Sequence, residues 1–225
     1  MSDYSVLCKR LDYQFKDPKF LEIALTHRSA NKQHYERMEF LGDAILNLII
    51  TDNLYHRFPD ASEGKLSRLR ASMVKGETLS KLAKQLELGE FLNLGSGELK
   101  SGGFRRESIL ADVFESIIGA IYLDQGYEPA QQFVLRMFSE RLQNADINVD
   151  LKDPKTRLQE YLQAQGQDLP VYEILSTSGK AHNQTFEVAC HVPVLNKSTQ
   201  GAGNSRRKAE QVAARRMLQE LEQDD

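Results

Sequence analysis

The stretch ERMEFLGDAILNLII, residues 36–50, combines a strongly apolar helical pattern with carboxylates at helical spacing. At 3.6 residues per turn, Glu36, Glu39 and Asp43 lie at i, i+3 and i+7 and point to the same side. Hydrophobic residues occupy most other positions, and a helix that is hydrophobic all round is normally buried. Unpaired ionised groups are strongly disfavoured in a low-dielectric site. These carboxylates therefore need arginine or lysine partners, protons or a metal cation.

A second carboxylate pair lies in ESILADVFESIIGAIYLDQG, residues 107–126. Asp112 and Glu115 are at i, i+3 on another strongly apolar predicted helix. Each acidic helix also has a glycine near its carboxylates, Gly42 in one and Gly119 in the other, which would let the two backbones approach closely. The two rows would then form an oxygen-only cluster, the ligand set that suits Mg²⁺ or Mn²⁺ rather than zinc: Glu39, Asp43, Asp112 and Glu115.

Such a cluster suits phosphodiester hydrolysis, because a divalent cation activates water, neutralises the scissile phosphate and stabilises the leaving oxygen. The alternative is structural: the carboxylates form buried ion-pair networks with Arg37, Arg105 or Arg106, or lie on solvated helix faces. Spacing alone leaves both interpretations open.

The composition is that of a globular protein with one large or two modest domains: 225 residues, 40% hydrophobic and 27% charged. The N-terminal residues lack the apolar core of a signal peptide, and no apolar run approaches the ~20 residues that span a bilayer. We therefore expect a cytoplasmic protein without a membrane partner. Cys8 and Cys190 are far apart, which argues against a disulfide framework or a zinc site. The net charge of −3 argues on its face against a nucleic-acid partner, so the local clustering of charge decides.

From Asp17 to about Leu142 the apolar residues recur at helical spacing, which predicts an all-α N-terminal domain. A Gly/Ser-rich stretch at residues 94–103 predicts a loop. A polar, non-periodic stretch predicts a linker at residues 144–152 between domains at residues 1–143 and 153–223. The predicted helices are Pro18–Leu25, Tyr35–Phe58, Ser62–Leu86, Arg106–Asp124 and Pro129–Arg141.

The C-terminal part predicts an α+β domain in the order α-β-β-β-α. Asp153 precedes Pro154 as a helix cap, and a helix continues through KTRLQEYLQAQ. VYEILSTS and QTFEVACHV have the composition and alternation of strands, joined by a turn at GKAHN. A weaker strand at Lys197–Gln200 precedes a final helix.

The start of that final helix carries a concentration of positive charge. Arg206, Arg207 and Lys208 follow Ser205, although the helix dipole disfavours each cation there by ~0.3–1 kcal/mol. An anionic ligand would reverse that effect, and a helix N-terminus with three cations suits phosphate. Glycines 201 and 203 would allow close approach. The alternative is a solvated basic turn; likewise His182, in the turn between the first two strands, either reaches a second phosphate or a minor groove, or is a plain surface residue.

Two pairs of motifs resemble a known family. ERMEFLGDAIL followed by GGFRRESILADVFESIIGAIYLD resembles the signature of ribonuclease III, and KDPKTRLQEYLQ with GAGNSRRKAEQVAA resembles the double-stranded-RNA-binding domain of its bacterial members. The resemblance extends from about Leu11 to Leu221, with no departure at an acidic position. It implies an Mg²⁺-dependent endonuclease, with Mn²⁺ as a substitute ion and no small-molecule cofactor. Such an enzyme cuts both strands of RNA duplexes, leaves 5′-phosphates and 3′-hydroxyls with short 3′ overhangs, and processes ribosomal, messenger and transfer RNA precursors.

The resemblance also implies roles for individual residues. Glu39, Asp43, Asp112 and Glu115 match metal positions, with Asp43 and Glu115 most directly tied to catalysis, and Glu36 and Glu63 match further acidic positions. Phe40 matches a position whose ring enters a pocket on a partner subunit, which implies a homodimer; the alternative is an ordinary core residue. The implied RNA-binding residues are Thr156, Gln159, Glu160, His182, Ser205, Arg206, Arg207 and Lys208.

Two other functions stay open. A non-catalytic regulator that binds double-stranded RNA would need a lost carboxylate, and none is missing. An all-helical interaction protein, whose acidic helices merely pair with arginines, would leave the basic helix start and the α-β-β-β-α pattern unexplained.

Overall fold

The computed structural model describes residues 4–147, 153–179 and 184–224. The chain divides into two compact units, residues 1–149 and 150–225, each with its own hydrophobic core. The predicted linker at residues 144–152 falls partly outside the described residues. None of the helices in the described ranges has both the length and the apolar character needed to cross a membrane.

The regular elements in the described residues of unit 1 are helices, joined by loops, with a single bridge between Thr26 and Asn93. The predicted all-α class is therefore confirmed. Short 3-10 turns occur at Leu88–Phe91 and Gly103–Arg105. The helices are α1 (Ser5–Leu11), α2 (Pro18–Ala24), α3 (Glu36–Arg57), α4 (Glu63–Met73), α5 (Gly76–Gln85), α6 (Ser96–Lys100), α7 (Glu107–Gln125), α8 (Tyr127–Met137) and α9 (Ser139–Gln143).

The backbones of α3 and α7 approach each other closely at two glycines. A Cβ atom added at Gly42 would lie 1.8 Å from the carbonyl oxygen of Glu115, and one added at Gly119 would lie 2.2 Å from that of Met38. Real Cβ atoms do not approach backbone atoms so closely, so only glycine fits at either position. The predicted close approach of the two acidic helices is confirmed.

Several predicted elements of unit 1 differ from the observed ones. The single helix predicted at Ser62–Leu86 is two helices, because Lys75 has an extended backbone and α5 begins anew at Gly76. The helix predicted at Pro129–Arg141 is likewise broken at the buried Phe138, between α8 and α9. The loop predicted at residues 94–103 contains α6, and α1 was not predicted at all.

Helix α3 is not buried all round, contrary to the prediction from its composition. Phe40 is 81% exposed, and Leu48 and Tyr55 on the same helix are also exposed. These three residues follow one another at spacings of two helical turns, so α3 presents an apolar stripe on its outer side. Phe40 is therefore not an ordinary residue of the core of its own chain.

Unit 2 has the predicted α-β-β-β-α order, with a three-stranded antiparallel sheet in the order β1-β2-β3. Its core includes Leu158 and Leu162 from the first helix, Cys190 and Val192 from the central strand, and Met217 from the last helix. The third strand extends to Gly203 rather than ending at Gln200. The elements are α10 (Pro154–Ala164), β1 (Val171–Ser178), β2 (Thr185–Val192), β3 (Lys197–Gly203) and α11 (Arg206–Asp224).

Gly201 and Gly203, which were expected to let a ligand approach the start of α11, lie in close contact with the backbone of α11 itself. A Cβ atom at Gly201 would lie 2.3 Å from the backbone nitrogen of Ala213, and one at Gly203 would lie 2.7 Å from that of Ala209. Both glycines therefore let β3 pack directly against α11. They fix the position of the basic helix start within the unit, rather than opening it to a ligand.

Candidate functional site

Three of the four predicted metal carboxylates converge. Glu39 on α3 and Asp112 and Glu115 on α7 each offer one oxygen, and these oxygens lie within 4.8 Å of one another. All three side chains are partly buried. The convergence follows from the contact at Gly42 and Gly119, because that contact brings the acidic rows of the two helices together. Three carboxylate oxygens at this separation are suited to a hard divalent cation.

Asp43 lies beside this cluster rather than in it. Its Oδ1 accepts a hydrogen bond of 2.8 Å from Nδ2 of Asn47, one turn further along α3. The charge of Asp43 still acts on the cluster, since it contributes to the raised pKa of Glu115. Asp43 therefore acts on the site through its charge, although it is outside the group of converging oxygens from the other three residues.

The cluster holds its protons tightly in the absence of a cation. Burial, and then the charges of Asp112, Glu36 and Asp43, raise the pKa of Glu39 to about 7. Burial, and then the charges of Asp43, Glu39 and Asp112, raise the pKa of Glu115 to about 8. Crowded carboxylates repel one another when ionised, and a cation removes that repulsion. The site therefore favours either protons or a positively charged ligand.

Two of the three arginines considered as ion-pair partners of the cluster, Arg105 and Arg106, contact other groups. Arg106 pairs with Glu98, with Nη1 2.7 Å from Oε1, and the guanidinium of Arg105 lies 5.0 Å from the ring centroid of Phe104. In both contacts the arginine is paired with a group outside the carboxylate cluster. A cation, rather than an arginine network, matches the chemistry of the cluster.

A cavity of about 660 Å³ opens beside Glu39 and Asp112. It contains groups of both signs, because its lining includes Arg28, 3.3 Å from Oε1 of Glu36, and the Arg106–Glu98 ion pair. Most of the cavity lining could not be predicted from the sequence. It comes from the segment before α3, from α6 and from the start of α7. Apart from Glu36, Glu39 and Asp112, the lining residues are His27, Arg28, Ser29, Tyr35, Glu98, Arg106, Ser108 and Ile109.

Tyr35 and His27 line the same cavity as Asp112, and both affect the pKa of its carboxyl group. Burial is the main cause of the raised pKa of Asp112, while the charge of His27 and a hydrogen bond with Tyr35 act in the opposite direction. His27 Nδ1 accepts a hydrogen bond of 3.1 Å from the Ser29 backbone N–H, and the His27 and Tyr35 rings are 5.7 Å apart. Tyr35 was detectable in principle, because it is an aromatic residue directly before the acidic helix.

The two accessory acidic residues lie in different surroundings. Glu36 lines the cavity and pairs with Arg28, as its position on the acidic row suggests. Glu63 lies in the first turn of α4, where its Oε1 accepts a 2.6 Å hydrogen bond from the Ser67 hydroxyl.

In unit 2 the predicted RNA-binding residues within the described ranges lie on α10 and at the start of α11. The hydroxyl of Thr156 donates to Asp153 at 3.2 Å, and Ser205 Oγ accepts from the Lys208 backbone N–H at 3.3 Å. Arg207 and Lys208 are exposed, while Gln159 is half-buried and Glu160 exposed on α10. Arg206 is engaged with Glu210. His182 lies outside the described residues.

A second, apolar pocket lies near the exposed Phe40. It has a volume of about 420 Å³, with Ile23, Met38, Leu41 and Leu123 as its apolar lining. Polar residues at its edge include Lys32, Gln33, His34 and Arg37. One surface therefore presents both an exposed aromatic ring and a cavity able to receive an apolar group.

Comparison with known families accounts for both units. Residues 17–142 match a family described as ribonuclease-III-like, and residues 154–221 match the double-stranded RNA binding motif. The first match covers more than half of the chain. This chain belongs to the ribonuclease III family. The resemblance found in the sequence motifs is thereby confirmed.

Relatives in the ribonuclease III family match along nearly the whole chain. A protein named Ribonuclease 3 from Marinomonas sp. (strain MWYL1) is 54% identical over 222 residues, covering 99% of this chain and 98% of the relative. Ribonuclease 3 from Hahella chejuensis (strain KCTC 2396) is 58% identical over 212 residues, covering 94% of each protein.

Solved structures of ribonuclease III match unit 1. The nuclease domain of the enzyme from Campylobacter jejuni superposes with a TM-score of 0.61 at 41% identity, covering 65% of this chain and all of that domain. A second structure from the same organism gives a TM-score of 0.60 at 42% identity, over 61% of this chain and 97% of that one. That structure is described as showing flexibility in a region involved in dimer formation.

Proposed function

We propose that this member of the ribonuclease III family is a double-strand-specific endoribonuclease that depends on a divalent cation. The convergence of Glu39, Asp112 and Glu115 within 4.8 Å carries the proposal. Unit 2, with its double-stranded RNA binding motif, supplies the substrate class. The combination of an acidic cluster and a duplex-binding unit distinguishes this function from that of a plain helical interaction protein.

The donor set fits Mg²⁺, with Mn²⁺ as a substitute. All the converging atoms are carboxylate oxygens, which are the ligands of hard divalent cations. When bound, such a cation supplies charge neutralisation at the phosphate and a lowered pKa for water. Glu39, Asp112 and Glu115 would hold the ion, and Asp43 would add negative charge beside Glu115 and complete the catalytic pair proposed from the sequence.

Recognition of the substrate is assigned to α10 and to the start of α11. The wide, shallow minor groove of A-form RNA is lined with 2′-hydroxyls, and modules of this type span ~16 base pairs while responding more to shape than to sequence. Gln159 and Glu160 on α10 would face that groove together with Thr156. Arg207 and Lys208, both exposed at the helix start, would contact phosphates.

The proposal includes a two-fold homodimer. One carboxylate cluster cuts one strand at a time, and a two-fold pair presents two equivalent clusters to the two strands of an antiparallel duplex. Phe40 is 81% exposed, and the apolar pocket of about 420 Å³ is large enough for a partner's aromatic ring. Two such contacts form at once in a two-fold pair, because each subunit offers both a ring and a pocket.

The remaining details of the activity follow from the family resemblance. We expect products with 5′-phosphates, 3′-hydroxyls and short 3′ overhangs. Precursors of ribosomal RNA, together with some messenger and transfer RNA precursors, are the proposed substrates. A cytoplasmic location would bring the enzyme together with these transcripts.

The function is tested by incubating the full chain with an end-labelled RNA duplex and Mg²⁺. We expect the wild type to cut both strands, and Glu115→Gln and Asp43→Asn to abolish cleavage while duplex binding is retained. Glu107→Gln is a matched control, because Glu107 is an exposed carboxylate on the same helix that pairs with Lys84. Wild-type protein that binds the duplex but leaves it intact with Mg²⁺ and with Mn²⁺ would instead be a non-catalytic RNA-binding regulator.

A further inference from the structure

A buried carboxylate joins the two helix starts of unit 2. Glu210, in the second turn of α11, is only 7% exposed. Its Oε2 lies 2.6 Å from Nζ of Lys155 on α10, and its Oε1 lies 2.8 Å from Nε of Arg206. Both oxygens of one buried group thus contact cations from different helices. Buried charges persist when they are paired and hydrogen-bonded in this way.

Further hydrogen bonds strengthen the same junction. The backbone N–H of Lys155 donates to Oε1 of Gln211 at 3.1 Å, and Nε2 of Gln211 donates to Oδ1 of Asp153 at 2.8 Å. Asp153 in turn caps α10 by accepting from the Thr156 backbone N–H. The ammonium of Lys155 also lies 4.3 Å from the ring centroid of Tyr172. The starts of α10 and α11 are therefore held in a fixed relation.

The contact with Glu210 determines how Arg206 presents its guanidinium. The side chain of Arg206 is 60% exposed, and Nε is the nitrogen that donates to Glu210. The N–H groups of the two terminal nitrogens are not used in that bond. A planar guanidinium held at one edge is prepared to bind a phosphate with its remaining donors, whereas a mobile side chain must first be ordered.

We infer that Glu210 is a positioning residue for RNA binding, which orients Arg206 toward a phosphate. The inference rests on the RNA-binding function proposed above. It has a counterintuitive consequence, since a negative charge beside a phosphate site would on electrostatic grounds alone weaken binding. Replacing Glu210 by a neutral residue should therefore weaken binding, although the protein becomes more positive.

The test measures binding of the full chain to a short RNA duplex in EDTA, across a series of salt concentrations. For Glu210→Gln, which changes charge but little volume, we expect about a tenfold loss of affinity at low salt. We also expect the slope of log affinity against log salt to fall by roughly 0.9, the change for one lost phosphate contact. Tighter binding, or weaker binding with an unchanged slope, would overturn the inference.

A double-mutant cycle with Arg206→Gln identifies the route of the effect. If Glu210 acts through Arg206, the double variant should bind no more weakly than Arg206→Gln alone. Fully additive losses would contradict this route and the inference with it.

Two controls separate positioning from general effects. Glu220→Gln removes an exposed carboxylate from the same helix and should leave affinity and slope unchanged. Thr199→Val removes a buried 2.8 Å hydrogen bond to the Ala213 carbonyl, so it should lower the melting temperature without changing the salt slope. A wild-type protein that fails to bind duplex RNA would contradict the proposed function itself, which is a different result from a Glu210 variant that binds as well as the wild type.

Discussion

At the scale of single residues, the raised pKa of Glu115 predicts a pH-dependent stability. The folded, metal-free protein holds this proton up to about pH 8, whereas the unfolded chain releases it near the ordinary value of 4.5. Folding stability from this group is therefore complete below pH 4.5 and is lost as the pH rises to about 8. In EDTA, Glu115→Gln should melt at the same temperature as the wild type at low pH and above it at pH 8.5 or higher.

Thermal unfolding followed by circular dichroism at several pH values checks this prediction. Glu107→Gln again serves as the control, because its exposed carboxylate is not part of the crowded cluster. Addition of Mg²⁺ should raise the melting temperature of the wild type more than that of the Glu115 variant. A melting-temperature difference that is constant from pH 4.5 to 9 would show that repulsion in the cluster is not its cause.

A second residue-scale prediction concerns Tyr35, which lines the same cavity as Asp112 and acts to lower the pKa of that carboxyl. Tyr35→Phe keeps the buried ring and removes only its hydroxyl. Partners that orient metal ligands typically change metal affinity by about 10–100-fold, so the Mg²⁺ concentration for half-maximal cleavage should rise by about tenfold or more. Cleavage at saturating Mg²⁺ should change much less. A fall in the maximal rate with an unchanged Mg²⁺ requirement would exclude an effect through Asp112.

At the scale of elements, the contact between α3 and α7 predicts the effect of a single methyl group. Gly42→Ala would place a Cβ atom 1.8 Å from the Glu115 carbonyl oxygen, so the helices must separate. Overpacking of this kind costs about 1–3 kcal/mol or more in stability. We expect a lower melting temperature and severely reduced cleavage, since the carboxylates separate with their helices.

The matched substitution is Gly97→Ala in α6, where an added Cβ atom would have no neighbour within 4 Å. Alanine is favoured over glycine in helices by up to about 1 kcal/mol, so this variant should be as stable as the wild type or more stable. Equal losses for the two variants would mean that helix propensity, and not the contact at Gly42, controls the result.

The same elements show what the sequence could predict. Helices α3 and α7 were predicted to within one residue at each end, because long apolar periodicity marks them clearly. The break at Lys75 was missed, since apolar spacing continues across it while the backbone turns. Helix α1 was missed because it has only seven residues and, unlike the equally short α2, no capping side chain or proline at its start.

The candidate site was predictable to a similar degree. Carboxylates on two long helices could be paired from their spacing and from the adjacent glycines. The cavity beside them could not, because His27, Tyr35, Glu98 and Arg106 meet only after the loops between helices are placed. The displacement of Asp43 from the other three also depends on a local detail, its hydrogen bond with Asn47.

At the scale of the whole molecule, the exposed ring of Phe40 predicts the strength of the proposed dimer. Burying such a ring contributes about 1.5–3 kcal/mol at each of two equivalent contacts. Phe40→Ala should therefore raise the dimer dissociation constant by about 10²- to 10⁴-fold. Sedimentation over a range of protein concentrations measures this shift, and the variant should cut the two strands of a duplex in uncoordinated steps.

Val6→Ala provides the comparison, since Val6 is another exposed apolar residue of unit 1 but belongs to α1 rather than α3. Its sedimentation should match that of the wild type. A wild-type protein that is monomeric at micromolar concentration and still makes double-strand cuts would rule out the dimer.

Because of the glycine contact between α3 and α7, thermal stability and the geometry of the metal site, which usually change together in enzymes, can change separately. The spacing of the carboxylates is set where main chain meets main chain, at Gly42 and Gly119, and not by the side chains that fill the surrounding core. Trimming a core residue such as Ile118 to valine should therefore lower thermal tolerance while leaving the ion-binding geometry nearly intact. The interior of unit 1 can thus drift in sequence, and the protein can adapt to a new growth temperature, with little change in how it holds its metal.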